Sequence, residues 1–135
     1  MKHKISLFKN VYSKKFAPLE IALEDIASAI RVKGEVKKEE LPGVVYAEIQ
    51  NGSRLKENVV SRSLLSYDID HFNGNLAHLV SIVAFKLANY KNVIYTTSSS
   101  TIESPRIRIL IELSEAVSGD DYEGISKAAF TQLLG

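Results

Sequence analysis

The chain has 135 residues, 45% hydrophobic and 24% charged, with 17 Lys and Arg against 16 Asp and Glu. Such a balance suits one globular domain and excludes a disordered or collagen-like polypeptide, while a net charge of +1 decides nothing about a nucleic-acid partner. Without cysteine there is no disulfide, thiolate metal site or Cys nucleophile, and no run approaches the ~18 apolar residues that span a bilayer. The start, Met1–Asn10, also lacks the apolar segment of a signal peptide, so the expectation is a cytoplasmic protein with no membrane partner.

In chain order, residues 4–12 read as a short strand, within a basic arm that carries Lys2, Lys4, Lys9, Lys14 and Lys15. Pro18 then suits the first turn of a helix, because Leu19, Ala22, Leu23, Ile26, Ala27 and Ile30 recur at spacings of three and four. Lys33-Gly34 ends that helix, and the charged stretch 34–43 closes at Pro42-Gly43 as a surface connection. Residues 44–49 predict a strand followed by a turn at Asn51-Gly52, and Arg54 to Asn58 is polar and irregular. Val59 to Asp70 predicts a long strand whose second half enters the interior. Asn73-Gly74-Asn75 turns the chain and caps a helix with Leu76, Leu79, Val80, Val83, Leu87 and Tyr90 on one face.

Residues 92–97 form a β-branched strand that runs into a serine-rich loop. Arg106 to Leu113 alternates polar and apolar, the clearest strand pattern in the chain. Ser118 is placed to cap a final helix with Gly119, Asp120 and Asp121 in its first turn. The order β-α-β-β-α-β-β-α predicts an α+β fold: a mixed, RRM-like sheet backed by helices, in a single domain over 1–135.

Chemistry concentrates in a few places. Asp68-Ile69-Asp70 ends an apolar strand, and the strand period of two sends both carboxylates to one face. Two such charges call for a divalent cation, basic groups or solvent; hard oxygen donors suit Mg²⁺ or Mn²⁺, and a strand that simply ends in water has the same pattern. Thr96 to Thr101 is a run of hydroxyl residues that fits either a phosphate-binding loop or an ordinary turn. Arg106 and Arg108 share a strand face, as phosphate contacts or as solvated charges. Arg54 and Lys56 are candidate nucleic-acid contacts or a solvated loop, and His3, His71 and His78 have no ligand spacing.

Taken in order, these segments resemble the archaeo-eukaryotic primase superfamily, in particular primase-polymerase-like N-terminal domains of phage, plasmid and island replication proteins. The resemblance rests on Leu64-Leu65-Ser66-Tyr67-Asp68-Ile69-Asp70, on Val93 to Thr101 and on Pro105-Arg106-Ile107-Arg108 with the apolar strand after it. It covers residues 52–135, and the first 50 match only in outline. It implies that Asp68 and Asp70 are catalytic and bind the metal. Thr97, Ser98, Ser100, Arg106 and Arg108 would bind nucleotide, and Arg54 and Lys56 would contact nucleic acid.

The implied cofactor is Mg²⁺ or Mn²⁺. The implied partners are a DNA template and primer, nucleoside triphosphates and a helicase domain or subunit. In this family the loop carries a histidine where this chain has Ser98 and Ser100. The family also uses a third acid from a strand after the helix that ends this sequence, so the resemblance implies the N-terminal part of a longer catalytic core, or else a naturally short relative without full activity.

The leading expectation is therefore a primase-polymerase-like replication protein of a mobile element, catalysing metal-dependent, template-directed nucleotidyl transfer. The alternative is a non-catalytic nucleic-acid-binding replication module of the same fold. A rolling-circle endonuclease needs histidines where Asp68 and Asp70 stand, and a small structural domain needs none of these residues.

Overall fold

The computed structural model describes residues 1–9, 15–29, 43–50, 58–97 and 99–135. The elements are β1 (Lys2–Phe8), β2 (Phe16–Ala22), α1 (Leu23–Ala29), β3 (Gly43–Val45), β4 (Glu48–Ile49), β5 (Val59–Ile69), α2 (Leu76–Lys86), β6 (Asn92–Thr96), β7 (Ile107–Ser118) and α3 (Gly119–Leu133). This is the α+β class that the sequence order predicts. The strands divide between two antiparallel sheets, ordered β2-β1-β3 and β4-β5-β7-β6. The chain separates into two compact units, Met1–Leu64 with Leu113–Glu123 and Leu65–Glu112 with Gly124–Gly135. Strands β5 and β7 and helix α3 each contribute residues to both.

In the first unit, β1 pairs antiparallel with β2 from Lys2↔Ala22 to Phe8↔Phe16, and with β3 on its other side. The Phe8 and Phe16 rings meet across the last pair of this register, 5.8 Å between centroids, a cross-strand aromatic contact. The helix expected from Pro18 onward is therefore corrected: Pro18 to Ala22 are strand, and α1 begins only at Leu23. The apolar spacing was real but ambiguous, and the backbone hydrogen bonds of β1 decide it. Proline is tolerated because β2 is an edge strand. Helical periodicity survives in Leu23 and Ile26, the buried residues of α1.

The strand expected over 44–49 is broken at Tyr46-Ala47, both buried, so that β3 joins one sheet and β4 the other. Two polar contacts tie this corner down. Ser6 donates its hydroxyl to the Ala47 carbonyl at 2.9 Å, and the fully buried His3 shares a 2.7 Å hydrogen bond between its Nδ1 and Ser63 Oγ. A buried polar side chain left unpaired is costly, so these bonds fix which strand residues meet. The proposed helix end at Lys33-Gly34, the connection up to Pro42 and the Asn51-Gly52 turn lie outside the described residues.

The second unit shows the expected cap. Asn75 has extended backbone angles, and its Oδ1 accepts from the His78 N–H at 2.9 Å, so α2 starts at Leu76. Gly74 before it adopts φ +154°, which a side chain would strain. Leu79, Val83 and Leu87, four residues apart, form the buried stripe. Tyr90, expected on that face, instead lies past the helix end and is exposed, because the Asn92 amide donates to the carbonyls of Leu87 and Tyr90 and closes the turn.

Strand β6 pairs with β7 from Asn92↔Ile111 to Thr96↔Ile107. The consecutive residues Ile109, Leu110 and Ile111 are all buried, so both faces of β7 are covered there. At the last helix, Ser118 Oγ accepts from the Asp121 N–H at 3.2 Å, the cap expected at that residue.

Two substitutions test the packing. Leu110→Ala is expected to lower stability by about 2–5 kcal/mol in urea denaturation, by lost burial and the cavity left behind. A Cβ at Gly119 would sit 2.4 Å from the Val59 carbonyl oxygen. Backbone cannot yield as a side chain does, so Gly119→Ala should cost about 1–3 kcal/mol in the same measurement.

Candidate functional site

The far end of β5 places its side chains by simple alternation. Tyr67 faces the C-terminal half of α3, where its hydroxyl donates to the Ser126 carbonyl at 2.7 Å and its ring meets Phe130 edge-on at 5.3 Å. The next residue, Asp68, is thereby sent to the opposite face. There it meets Arg108 of β7, forty positions away in sequence.

Arg108 Nε donates to Asp68 Oδ1 at 2.6 Å and Nη2 donates to Oδ2 at 3.3 Å, a forked contact that engages both carboxylate oxygens. Nη1 donates to the hydroxyl of Tyr95 at 3.4 Å, and Tyr95 is the residue paired with Arg108 across β6 and β7. Three neighbouring strands, β5, β7 and β6, thus each supply one member of the cluster. The Asp68 carboxylate raises the pKa of Arg108 above its ordinary value, against the opposing effect of burial. The Asp68 side chain is 58% exposed and that of Arg108 30%, so solvent screens the pair and its net contribution to stability is about 1 kcal/mol or less.

Asp70 lies one residue past the end of β5 and has a different partner: its Oδ1 is 3.4 Å from Nε2 of His71, with both side chains largely in water. The two acids therefore engage separate groups. Among the described residues, no cluster of three or more His, Cys, Asp or Glu side chains is placed to hold a metal ion.

The loop between β6 and β7 uses its polar groups on itself. The Thr97 N–H donates to the Arg106 carbonyl at 3.0 Å, the Arg106 N–H donates to Ser100 Oγ at 2.9 Å, and the Ser100 N–H donates to the Thr97 carbonyl at 3.0 Å. The Ser104 N–H donates to Thr101 Oγ1 at 2.9 Å, and Pro105 is buried. Hydroxyls that read as phosphate ligands in the sequence here give the loop its shape. The Arg106 side chain is exposed at the mouth of this loop, whereas Arg108 is half-buried in the cluster. Ser98, Arg54 and Lys56 lie outside the described residues.

Tyr95 and Tyr67 were not among the expected site residues. The only signal for them is positional: Tyr95 is paired with Arg108 once the β6–β7 register is known, and Tyr67 follows from the face opposite Asp68.

Together these features define an α+β domain with a carboxylate and a guanidinium joined at neighbouring strands beside a hydroxyl-rich loop. The model of the VapE N-terminal domain family matches residues 16–134, and the chain belongs to that family, a replication-associated domain of mobile elements. The match runs from the first residue of β2 to the end of α3 and includes the whole Asp68, Tyr95 and Arg108 cluster. No curated protein and no solved structure matches the chain.

A double-mutant cycle on Arg108→Gln and Asp68→Asn tests the forked pair. The coupling energy in chemical denaturation should be about 1 kcal/mol or less and should shrink as salt is raised from low to high ionic strength.

Proposed function

We propose that this chain belongs to the primase-polymerase type of replication protein and contributes to metal-dependent, template-directed nucleotidyl transfer on a mobile element. The observation that supports this reading is the meeting of Asp68 with Arg108, two residues whose types suit a cation and a phosphate and which stand far apart in the sequence. Their donor chemistry fits the group required: two carboxylates offer hard oxygens to Mg²⁺ or Mn²⁺, and guanidinium forks match phosphate oxygens. Asp68 and Asp70 would hold the ion, whose charge when bound offsets that of the phosphates.

In this reading Arg106, exposed at the loop mouth, meets the incoming triphosphate, and Arg108 joins it on leaving Asp68. Thr97 and Ser100 hold the loop in shape, with Ser98 in the same loop, while Arg54 and Lys56 contact template. The partners are template and primer DNA, nucleoside triphosphates and a helicase domain or subunit, in the cytoplasm. Among the described residues, no helix is long and apolar enough to cross a membrane.

A second reading, a non-catalytic nucleic-acid-binding module of the same fold, is favoured by one observation. Both oxygens of Asp68 are engaged by Arg108.

Titration calorimetry with Mn²⁺ separates the two. The catalytic reading expects binding that is lost in Asp68→Asn/Asp70→Asn, together with template-directed incorporation of nucleotides that falls at least about a hundredfold in the same variant. The module reading expects single-stranded DNA binding that the double variant leaves intact and no specific uptake of Mn²⁺.

A further inference from the structure

The forked contact joins the two groups that the proposed reaction would use separately, and it does so through the atoms each would need. A divalent cation binds carboxylate oxygens, yet Arg108 Nε and Nη2 already lie 2.6 and 3.3 Å from the two oxygens of Asp68. A phosphate binds the N–H edge of a guanidinium, yet the Nε and Nη2 edge of Arg108 is turned onto Asp68, and Nη1 is donated to Tyr95. The geometry points to mutual masking: Arg108 and Asp68 each block the other's ligand, so that a triphosphate group drawing Arg108 away frees Asp68 for the cation. This rests on the function proposed above and adds to it an order of binding.

Three features make the arrangement suitable as a switch rather than a permanent brace. Phosphate offers the same paired oxygens as a carboxylate with more charge, so it competes directly for the fork. Asp68 is more than half exposed, so the pair is weak enough to exchange. Tyr95, bonded to the remaining guanidinium nitrogen, keeps Arg108 near its strand while the fork turns. By linkage, whatever factor the triphosphate adds to cation affinity, the cation adds to triphosphate affinity.

Metal ions and triphosphates chelate each other in solution, so each arm is measured with one ligand at a time. In the first arm, Mn²⁺ binding to Arg108→Gln is compared with wild type and with Lys91→Gln. The latter removes the same charge from an ion pair with Glu112 that lies outside the cluster. In the second arm, binding of inorganic triphosphate to Asp68→Asn is compared with wild type and with Glu112→Gln, its charge-matched control.

The expected result is about two- to fivefold tighter binding in Arg108→Gln and in Asp68→Asn, with both controls close to wild type. Arg108→Lys keeps the charge while losing the fork, and should raise Mn²⁺ affinity by a smaller factor. It serves the same purpose if circular dichroism shows Arg108→Gln to be unfolded. Equal changes in cluster variants and controls would overturn the masking. If Mn²⁺ still bound to wild type through Asp68 and Asp70, the proposed function would survive that result. No Mn²⁺ binding to wild type or to folded Arg108 variants would remove both together.

Discussion

Strand β5 is the constraint on which the rest of this structure depends. Its centre, Ser63, Leu64 and Leu65, is buried at three consecutive positions, so both faces of the strand are covered there. Once those residues are fixed, alternation leaves no freedom farther along: Tyr67 must turn one way and Asp68 the other. Ser63 is also the partner of the buried His3, so the strand anchors the corner of the first unit as well as the cluster of the second. A slip of one residue would put a leucine at the partly exposed place of Arg62 or Ser66 and turn Asp68 to the face now taken by Tyr67, a costly exchange in a protein of ordinary marginal stability.

The functional consequence is a cluster in which opposite charges satisfy one another. The sequence pattern alone presents Asp68 and Asp70 as two repelling carboxylates to be offset by a cation, by basic groups or by solvent. In the folded chain the first is clasped by Arg108, and the second lies beside His71 and largely in water. This is the ordinary way for charge to be offset on an open sheet face, and it is compatible with a ligand-binding site only if the internal partner can be exchanged for an external one. The Asp68 side chain is 58% exposed, so its free edge is open to solvent. The hydroxyl loop shows the same economy, because Thr97, Ser100 and Thr101 spend hydrogen bonds on holding the backbone between β6 and β7.

Much of the secondary structure was legible. The long strand expected over Val59 to Asp70 ends at Ile69, the alternating strand expected over Arg106 to Leu113 runs from Ile107 to Ser118, and the caps at Asn75 and Ser118 stand where the sequence places them, all from period and local hydrogen-bond chemistry. The failure at Pro18 to Ala22 is instructive, since a three-four spacing over a short window serves a strand equally well when a neighbouring strand needs a partner. Likewise, Val44 to Ile49 reads as one strand because nothing local marks Tyr46-Ala47 as the point where the chain passes from one sheet to the other.

The sequence by itself determined the α+β class, the element types with short-range signals and the residue types available for chemistry, because these depend on period, capping and side-chain inventory. Only the tertiary structure decided that the strands fall into two sheets, that Tyr95 stands opposite Arg108, and that Arg108 reaches Asp68 forty residues away. Strand order and register depend on backbone hydrogen bonds between distant segments, and no local pattern encodes which segments those will be. The same pairing turned two carboxylates that look alike in the sequence into one clasped by an arginine and one left largely in water.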